Sequence, residues 1–237
     1  MKKKKILVIT AISLATIVTL TGCGKKNENK QEEQKENKPI VSLINEEKNI
    51  VYTVKEQSGY KIPKINLTYD NVKELNKEIL SYGEQKITDM TVDGKIQTDG
   101  KLEYKYYEND NILSIVYEHE SPFAAVSDKY KVWNIDKYTG ETITNEQILA
   151  KKGIKAEELE ESLIQKCKEK YEELGISAKE NEEMLEVYNS QLEKTVSKEN
   201  NNLNNFMYLG ADNEIYVIAK IYSLAGADYY EHIIKVR

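Results

Sequence analysis

The sequence predicts an α+β fold in which helices pack on one face of an antiparallel sheet, divided into two sub-domains. Two kinds of pattern support this fold class. Pairs of short segments with apolar residues at every second position, separated by turn residues, predict antiparallel hairpins. Other, longer segments repeat apolar residues every three or four positions, as on one face of a helix. Separate runs of strands and of helices are typical of α+β proteins.

The first sub-domain is expected to span residues 40–98. Residues 50–54 and 59–65 are predicted to be strands, and a proline in the second marks a sheet edge or a strand end. A helix is expected to begin near Asn71, because Asn71 and Glu74 have the spacing of a capping box. Its apolar face would comprise Val72, Leu75, Ile79 and Tyr82. The turn signals that follow are Asp93-Gly94 and Asp99-Gly100.

The second sub-domain, residues 99–237, is expected to combine strands with three helices. The strands are predicted at 102–107, 112–119, 130–136, 206–209, 214–222 and 229–236. Gly140 is suited to the positive φ of the turn after the third of these strands. Thr144 and Gln147 form a second capping-box pattern, which predicts the start of a short helix. Longer helices are predicted over residues 157–174 and 179–198.

Residues 1–22 have the pattern of an export signal rather than of folded structure. Lys2–Lys5 precede the uncharged run Ile6–Leu20, which at roughly fifteen residues is too short to span a bilayer comfortably. The sequence Leu20-Thr21-Gly22-Cys23 resembles the lipobox of bacterial lipoproteins. That resemblance implies that Cys23 is alkylated with diacylglycerol and becomes the first residue of the mature chain.

Lipidation of Cys23 predicts a protein anchored on the extracytoplasmic face of the cell membrane. Each buried methylene contributes about 0.8 kcal/mol, so two acyl chains anchor a protein stably where one does not. Residues 23–39 are predicted to form a disordered tether, because they mix both charges and lack apolar side chains before Pro39. Three alternatives stay open: a simple secretory signal with an incidental Cys23, a transmembrane anchor, and a charged surface helix in place of the tether.

The charge balance restricts the classes of partner. The full chain carries a net charge of −6, and its first 22 residues contribute four lysines and no acids, so the rest carries −10. This balance argues against nucleic acid and against anionic envelope polymers, and it favours a basic partner. Apart from Cys23 the chain has one cysteine, Cys167, so no intrachain disulfide is expected in the folded part. The abundance of Lys, Asn, Ile and Glu, together with the lipobox, is typical of a low-GC Gram-positive bacterium.

No residue pattern points strongly to catalysis, and we expect no enzyme, metal site or cofactor. His119, His232 and Cys167 have side chains suited to proton transfer or nucleophilic attack. Cys167, however, falls on the apolar stripe of its helix, where a free cysteine acts as a small apolar side chain. No paired Cys or His residues have the spacing of a zinc site. Glu118 and Glu120 could flank a glycosidic bond, but in a chain with 40 acidic residues such pairs arise by chance.

Tyrosine is unusually frequent, with 17 residues against two phenylalanines and one tryptophan. Tyrosine offers a ring face for stacking and a hydroxyl for hydrogen bonding, which suits both sugars and protein surfaces. The candidate ligand-binding residues are the clustered tyrosines and the single tryptophan: Tyr104, Tyr106, Tyr107, Trp133, Tyr229 and Tyr230. Alternatively, tyrosine fills half-buried sheet positions in place of phenylalanine.

From residue 109 onward the order of elements resembles a known extracytoplasmic domain. Three segments carry the resemblance: Ile112–Tyr117, Tyr130–Gly140 with its Asn-Ile-Asp-x-x-Thr-Gly turn, and Ile215–Tyr222. This domain occurs in lysozyme-sensing anti-sigma factors and in the non-catalytic half of a class of peptidoglycan deacetylases. Residues 40–98 are similar to the smaller domain that precedes it there. The resemblance implies the fold and binding of lysozyme or a cell-wall fragment; deacetylation and sigma-factor binding are not expected, because the chain lacks the segments that perform them.

The sequence therefore predicts a surface-anchored, non-enzymatic binding lipoprotein that recognises lysozyme or a peptidoglycan fragment. One alternative is a cell-wall hydrolase or accessory domain that uses His119 or His232 with carboxylates. Another is a structural protein of the envelope that presents a sheet edge to a partner.

Overall fold

The computed structural model describes residues 49–123, 129–224 and 228–237. The predicted signal peptide, Cys23 and the predicted tether lie outside the described residues. By contacts, these described residues belong to one compact unit.

The described residues form antiparallel strands and helices, which confirms the α+β class. The strands are β1 (Val51–Gln57), β2 (Tyr60–Ile65), β3 (Thr91–Val92), β4 (Lys95–Ile96), β5 (Lys101–Asn109), β6 (Ile112–Glu120), β7 (Tyr130–Asp136), β8 (Met207–Leu209), β9 (Ile215–Tyr222) and β10 (Tyr229–Lys235). The helices are α1 (Asp70–Asp89), α2 (Asn145–Lys152), α3 (Ala156–Leu174), α4 (Ile176–Lys179) and α5 (Leu185–Thr195). Two three-stranded sheets dominate, in the orders β5-β6-β7 and β10-β9-β8.

The first core lies between the β5-β6-β7 sheet, the β1-β2 hairpin and α1. The odd-numbered residues of β6, Leu113, Ile115 and Tyr117, point into it because side chains alternate along a strand. They meet the buried face of α1, which includes Val72 and Ile79. These residues are almost completely removed from water, and this burial is the main stabilising contribution to the layer.

The second core lies between the β10-β9-β8 sheet and the helices α2, α3 and α5. Alternate residues of β9, Ile215, Val217, Ala219 and Ile221, face these helices. From α3 the core receives a stripe spaced by four residues: Leu159, Leu163, Cys167 and Tyr171. This stripe is the one that the helical periodicity predicts.

The remaining faces of the two sheets meet each other. Val116 and Val132 of the first sheet pack against Tyr208 and Ile218 of the second. The predicted division into two sub-domains at residues 98 and 99 is not confirmed, because the first core draws residues from both sides of it, from Ile50 to Ile135. Each sheet thus has helices on one face and the other sheet on its opposite face.

Of the two predicted capping boxes, the structure forms one and not the other. The Thr144 hydroxyl accepts a hydrogen bond from the Gln147 backbone, and the Gln147 side chain accepts one from the Thr144 backbone, so this capping box is confirmed. The one predicted at Asn71 is wrong: α1 begins at Asp70, and its N-cap Tyr69 makes no capping hydrogen bond through its side chain. The helix predicted over 179–198 is divided into α4, a 3-10 turn at Glu182–Met184 and α5.

Gly83 of α1 allows the helix to approach β2 and Tyr117 closely. A Cβ at this position would lie 2.8 Å from Ile62 Cγ1 and 2.9 Å from Tyr117 Oη. We expect Gly83→Leu to lower the free energy of unfolding by about 3 kcal/mol, because a side chain cannot enter without moving the helix. Urea unfolding followed by circular dichroism measures this change. Ser81→Leu, on the exposed side of the same helix, is the control, and equal unfolding midpoints for the two variants would contradict the packing argument.

Candidate functional site

A cleft opens where the two three-stranded sheets and the end of α3 come together. Its first compartment is a cavity of about 630 Å³. The compartment is lined by aromatic and imidazole rings from both sheets and from α3, namely His119, Tyr130, Tyr171, Tyr222, Tyr230 and His232. The residues that line it come from distant parts of the chain, so only the packing of the sheets produces the cavity.

A second compartment, of about 520 Å³, adjoins the first. His119, Tyr130 and Glu231 line both compartments and therefore form the boundary between them. The second compartment is also bordered by α1, by Lys131 of β7, by Lys220 of β9 and by the loop before β8. We call the two compartments together the cleft.

Glu231 links the two sheets by hydrogen bonds at this boundary. Its Oε2 atom accepts hydrogen bonds from the backbone amides of Lys129 and Tyr130, at 2.7 and 2.9 Å. The bond joins β10 to the start of β7, which places the rings of Tyr130 and His232 in one cavity. Because the Glu231 carboxylate accepts hydrogen bonds from two backbone amides, its position is fixed, and its role is to hold the two strands together at the cleft.

His232 and Tyr130 line the first compartment with neutral hydrogen-bonding groups. Burial, helped by the nearby Lys170 and Lys129 ammonium groups, holds the pKa of His232 below its ordinary value, so the ring is neutral at pH 7. Burial and the neighbouring Glu118 carboxylate raise the pKa of Tyr130 to about 12. His119 is 4% exposed, and its Nδ1 atom lies 3.3 Å from the Tyr82 hydroxyl.

Glu118 and Glu120, which have the spacing of a catalytic carboxylate pair, lie in a network of lysines, and Glu120 also lines the first compartment. Lys101 and Lys129 approach Glu118 to 2.8 and 3.1 Å, and Lys129 lies 3.4 Å from Glu120. Burial by itself would raise the pKa of Glu118, but the hydrogen bonds from Lys101 and Lys129 outweigh it and hold the pKa below its ordinary value. Glu118 is therefore ionised at neutral pH and is unsuited to donate a proton as a general acid.

The loop before β8 contains five asparagines in six residues, 200–205, and is held by side-chain hydrogen bonds. Asn201 is fully buried: its amide nitrogen donates to the carbonyls of Thr195 and Lys220, and its oxygen accepts from the Lys220 amide. Asn205 donates to Asn201 Oδ1 and to the Ile218 carbonyl. These bonds hold the loop against β9, where it borders the second compartment.

Of the six aromatic candidates, Tyr230 lines the cleft and is 40% exposed. Tyr229 lies next to it on β10, half-buried against Tyr222 at a ring distance of 5.8 Å. Trp133 is buried in the first core, and its indole nitrogen donates to Glu78 at 2.9 Å. The structure therefore brings Tyr230 to the cleft, places Tyr229 against the cleft residue Tyr222, and buries Trp133.

The β5 tyrosines fill half-buried positions, which agrees with the alternative of structural packing. Tyr104 shares a hydrogen bond with the Thr53 hydroxyl, and Tyr106 packs against the first core. Tyr107 stacks on Tyr208, with ring centroids 5.5 Å apart, where the two sheets meet. Their contacts within the fold give no support for a role in ligand binding.

Cys167 is a core residue, as its place on the helical stripe predicts. It is fully buried in the second core, and burial raises the pKa of its thiol to about 12. In the described part of the chain, no three His, Cys, Asp or Glu side chains are grouped to hold a metal ion. Within residues 49–123, 129–224 and 228–237, no helix has the length and apolarity to cross a bilayer.

Sequence reasoning missed most of the residues that line the cleft. The sequence pattern places Tyr130, Tyr222 and Glu231 in strands and predicts no site role for them, because no local motif distinguishes them. The loop at residues 200–205 did carry a sequence signal for a structured region, because five asparagines in six residues are unusual for a simple connection.

The comparisons with known proteins add no relative. No protein-family profile matches the chain, and no curated protein is significantly similar to it.

Proposed function

We propose that the chain is a membrane-anchored, non-enzymatic binding lipoprotein that holds a soluble cell-wall fragment in the cleft. The cleft between the two sheets is the observation that carries the proposal. At about 630 Å³, its first compartment has a volume typical of small-molecule sites. Such a concave site suits a ligand of a few sugar or amino-acid units.

The chemistry of the first compartment suits a carbohydrate with an attached peptide. Tyr130, Tyr222 and Tyr230 offer ring faces for the apolar face of a sugar. The neutral His232 ring and the protonated Tyr130 hydroxyl can exchange hydrogen bonds with sugar hydroxyls without a charged group having to lose its water. Apolar contacts from Leu224 and Ile233 complete a lining that is amphipathic, as such a ligand is.

The anchor belongs to the same proposal. A diacylglycerol on Cys23 and a tether over residues 23–39 would keep the cleft close to the extracytoplasmic face of the cell membrane, where wall fragments are released. This part rests on the lipobox pattern at Leu20–Cys23 and on the composition of the tether.

Lysozyme is the competing ligand within the same class. The net charge of −6 favours encounter with a basic protein, whereas a concave cavity favours a small ligand. We therefore propose the wall fragment as the ligand, and the experiment below also measures lysozyme binding.

One observation favours the hydrolase alternative: His119, His232, Glu120 and Glu231 all line the first compartment. Against it, Glu231 accepts hydrogen bonds from two backbone amides, and Glu120 lies 3.4 Å from the Lys129 ammonium group, so both carboxylates already have partners within the fold.

The test is isothermal titration of the full-length protein, purified in detergent, with a soluble muropeptide and separately with lysozyme. We expect saturable muropeptide binding, weakened roughly tenfold by Tyr230→Ala because that substitution removes an exposed ring from the cleft. Tyr138→Ala is the matched control, since Tyr138 is 44% exposed on the turn after β7.

Each result has a defined meaning. Binding of lysozyme without muropeptide would reject the fragment in favour of the protein ligand. Conversion of the muropeptide, detected by mass spectrometry, would establish the hydrolase alternative. If neither ligand binds, the proposed function is wrong.

A further inference from the structure

Three lysines from three different elements converge on the second compartment. They are Lys86 of α1, Lys131 of β7 and Lys220 of β9, and all three are half-buried. Their convergence depends on the packing of both sheets and α1, so nothing in the local sequence suggests it. Although the chain has a net charge of −6, three lysine side chains border this one cavity.

Aromatic rings hold each of these ammonium groups in place. Lys86 Nζ lies 5.4 Å from the centre of the Tyr82 ring, and Lys220 Nζ lies 4.8 Å from that of Tyr229. Lys131 Nζ lies between the rings of Trp133 and Phe206, at 5.9 and 5.2 Å. A ring face attracts a cation without neutralising it, so the positive charge stays available to a ligand.

Among the described residues, none of these three lysines has a carboxylate within 4.0 Å, whereas many surface lysines of this chain do, such as Lys101 and Lys235. Two acidic residues also border the compartment. Glu231 directs its carboxylate to two backbone amides, and Glu199 is exposed on the loop side. The compartment therefore has more cationic than anionic side chains.

We propose that the second compartment is an anion-binding subsite that takes a carboxylate or phosphate group of the ligand. This inference rests on the proposed function, because it names the charged end of the ligand whose neutral part occupies the first compartment. It differs from the expectation from net charge, which argued against anionic envelope polymers. Net charge describes the whole surface, while a ligand responds to the charges that face it.

Two sources supply this chemistry. One is the free carboxylate of a wall peptide, and the other is the phosphodiester of a polyol-phosphate polymer. The shared chemistry is a compact anion of one or two charges, held by the three ammonium groups as charge-assisted hydrogen bonds.

The experiment measures binding of three probes to the full-length protein in detergent: muramyl dipeptide, its carboxamide and glycerol 1-phosphate. We expect Lys131→Gln and Lys220→Gln each to weaken binding of an anionic probe about tenfold, with Lys131→Arg retaining most of it. Lys105→Gln, which removes an exposed lysine on β5, should leave binding unchanged. Thermal unfolding of every variant separates loss of binding from loss of folding.

The outcomes distinguish this inference from the proposed function. If the carboxamide binds as tightly as the acid and glycerol 1-phosphate does not bind, the fragment-binding function stands and the anion subsite is overturned. If glycerol 1-phosphate binds in a lysine-dependent way and neither dipeptide binds, the subsite stands and its source is a polyol phosphate. Equal affinities of the wild type and both glutamine variants for every probe would overturn the subsite as well.

Discussion

Replacing Asn201 with leucine is expected to lower the free energy of unfolding by about 4 kcal/mol, the largest effect that we expect from a single side chain. Asn201 is fully buried and hydrogen-bonds to both the amide and the carbonyl of Lys220 and to the carbonyl of Thr195. Leucine has a similar size but makes none of these bonds. Three backbone groups, one buried and two half-buried, would lose their partner, and each such loss costs roughly 1–3 kcal/mol.

The same substitution tests whether the asparagine loop shapes the cleft. Because Asn201 joins the loop to β9 beside Lys220, the Asn201→Leu variant should also bind its ligand less tightly under conditions where it remains folded. Urea unfolding supplies the free energy, and titration below the unfolding transition supplies the affinity. Asn204→Ala is the control: this exposed residue of the same loop should change stability by less than about 0.5 kcal/mol. Equal stability of the two variants would contradict the role assigned to Asn201.

Replacing Cys23 with alanine is expected to abolish both lipidation and membrane retention. The lipobox predicts a diacylglycerol on Cys23, and without it the two acyl chains that would anchor the protein are missing; no other lipid attachment is predicted. Fractionation of cells grown with labelled palmitate measures both effects. We expect the labelled band to disappear and the protein to move from the membrane to the soluble fraction.

Cys167→Ala provides a matched control for the anchor. Cys167 is buried in the second core and has a raised thiol pKa, so its loss should leave the protein labelled and membrane-bound. If the Cys23→Ala protein stayed on washed membranes, the uncleaved apolar segment would be the anchor, as in the transmembrane alternative. If the wild-type protein took up no label, the lipobox interpretation would be wrong.

The position of the cleft connects stability with binding. A ligand that contacts both β7 and β10 would bridge the two sheets, as the Glu231 carboxylate does. Binding to the folded state alone stabilises it, by an amount that grows with ligand concentration. A rise in the unfolding temperature with added ligand would therefore accompany the binding that we propose.

Periodicity determined most of the secondary structure from the sequence. The hairpins β5-β6 and β8-β9, the helix α3 and the capping box at Thr144 were all predictable, because each depends on neighbours within a few residues. The capping box predicted at Asn71 was wrong, and the interruption between α4 and α5 was not predicted. The helix α1 begins at Asp70, and its N-cap residue Tyr69 makes no capping hydrogen bond through its side chain, so the spacing of Asn71 and Glu74 gave a misleading local signal.

For the candidate site too, some features were predictable from the sequence and others were not. The sequence by itself determined the α+β class, the core position of Cys167 and the lipobox pattern at Cys23, since all three follow from residue types at short, regular spacing. Only the tertiary structure decided that Tyr230 lines a cavity while Trp133 is buried, and that Lys86, Lys131 and Lys220 converge. These facts depend on which faces of two sheets meet, and that is set by contacts between residues about a hundred positions apart, such as Tyr130 and Glu231.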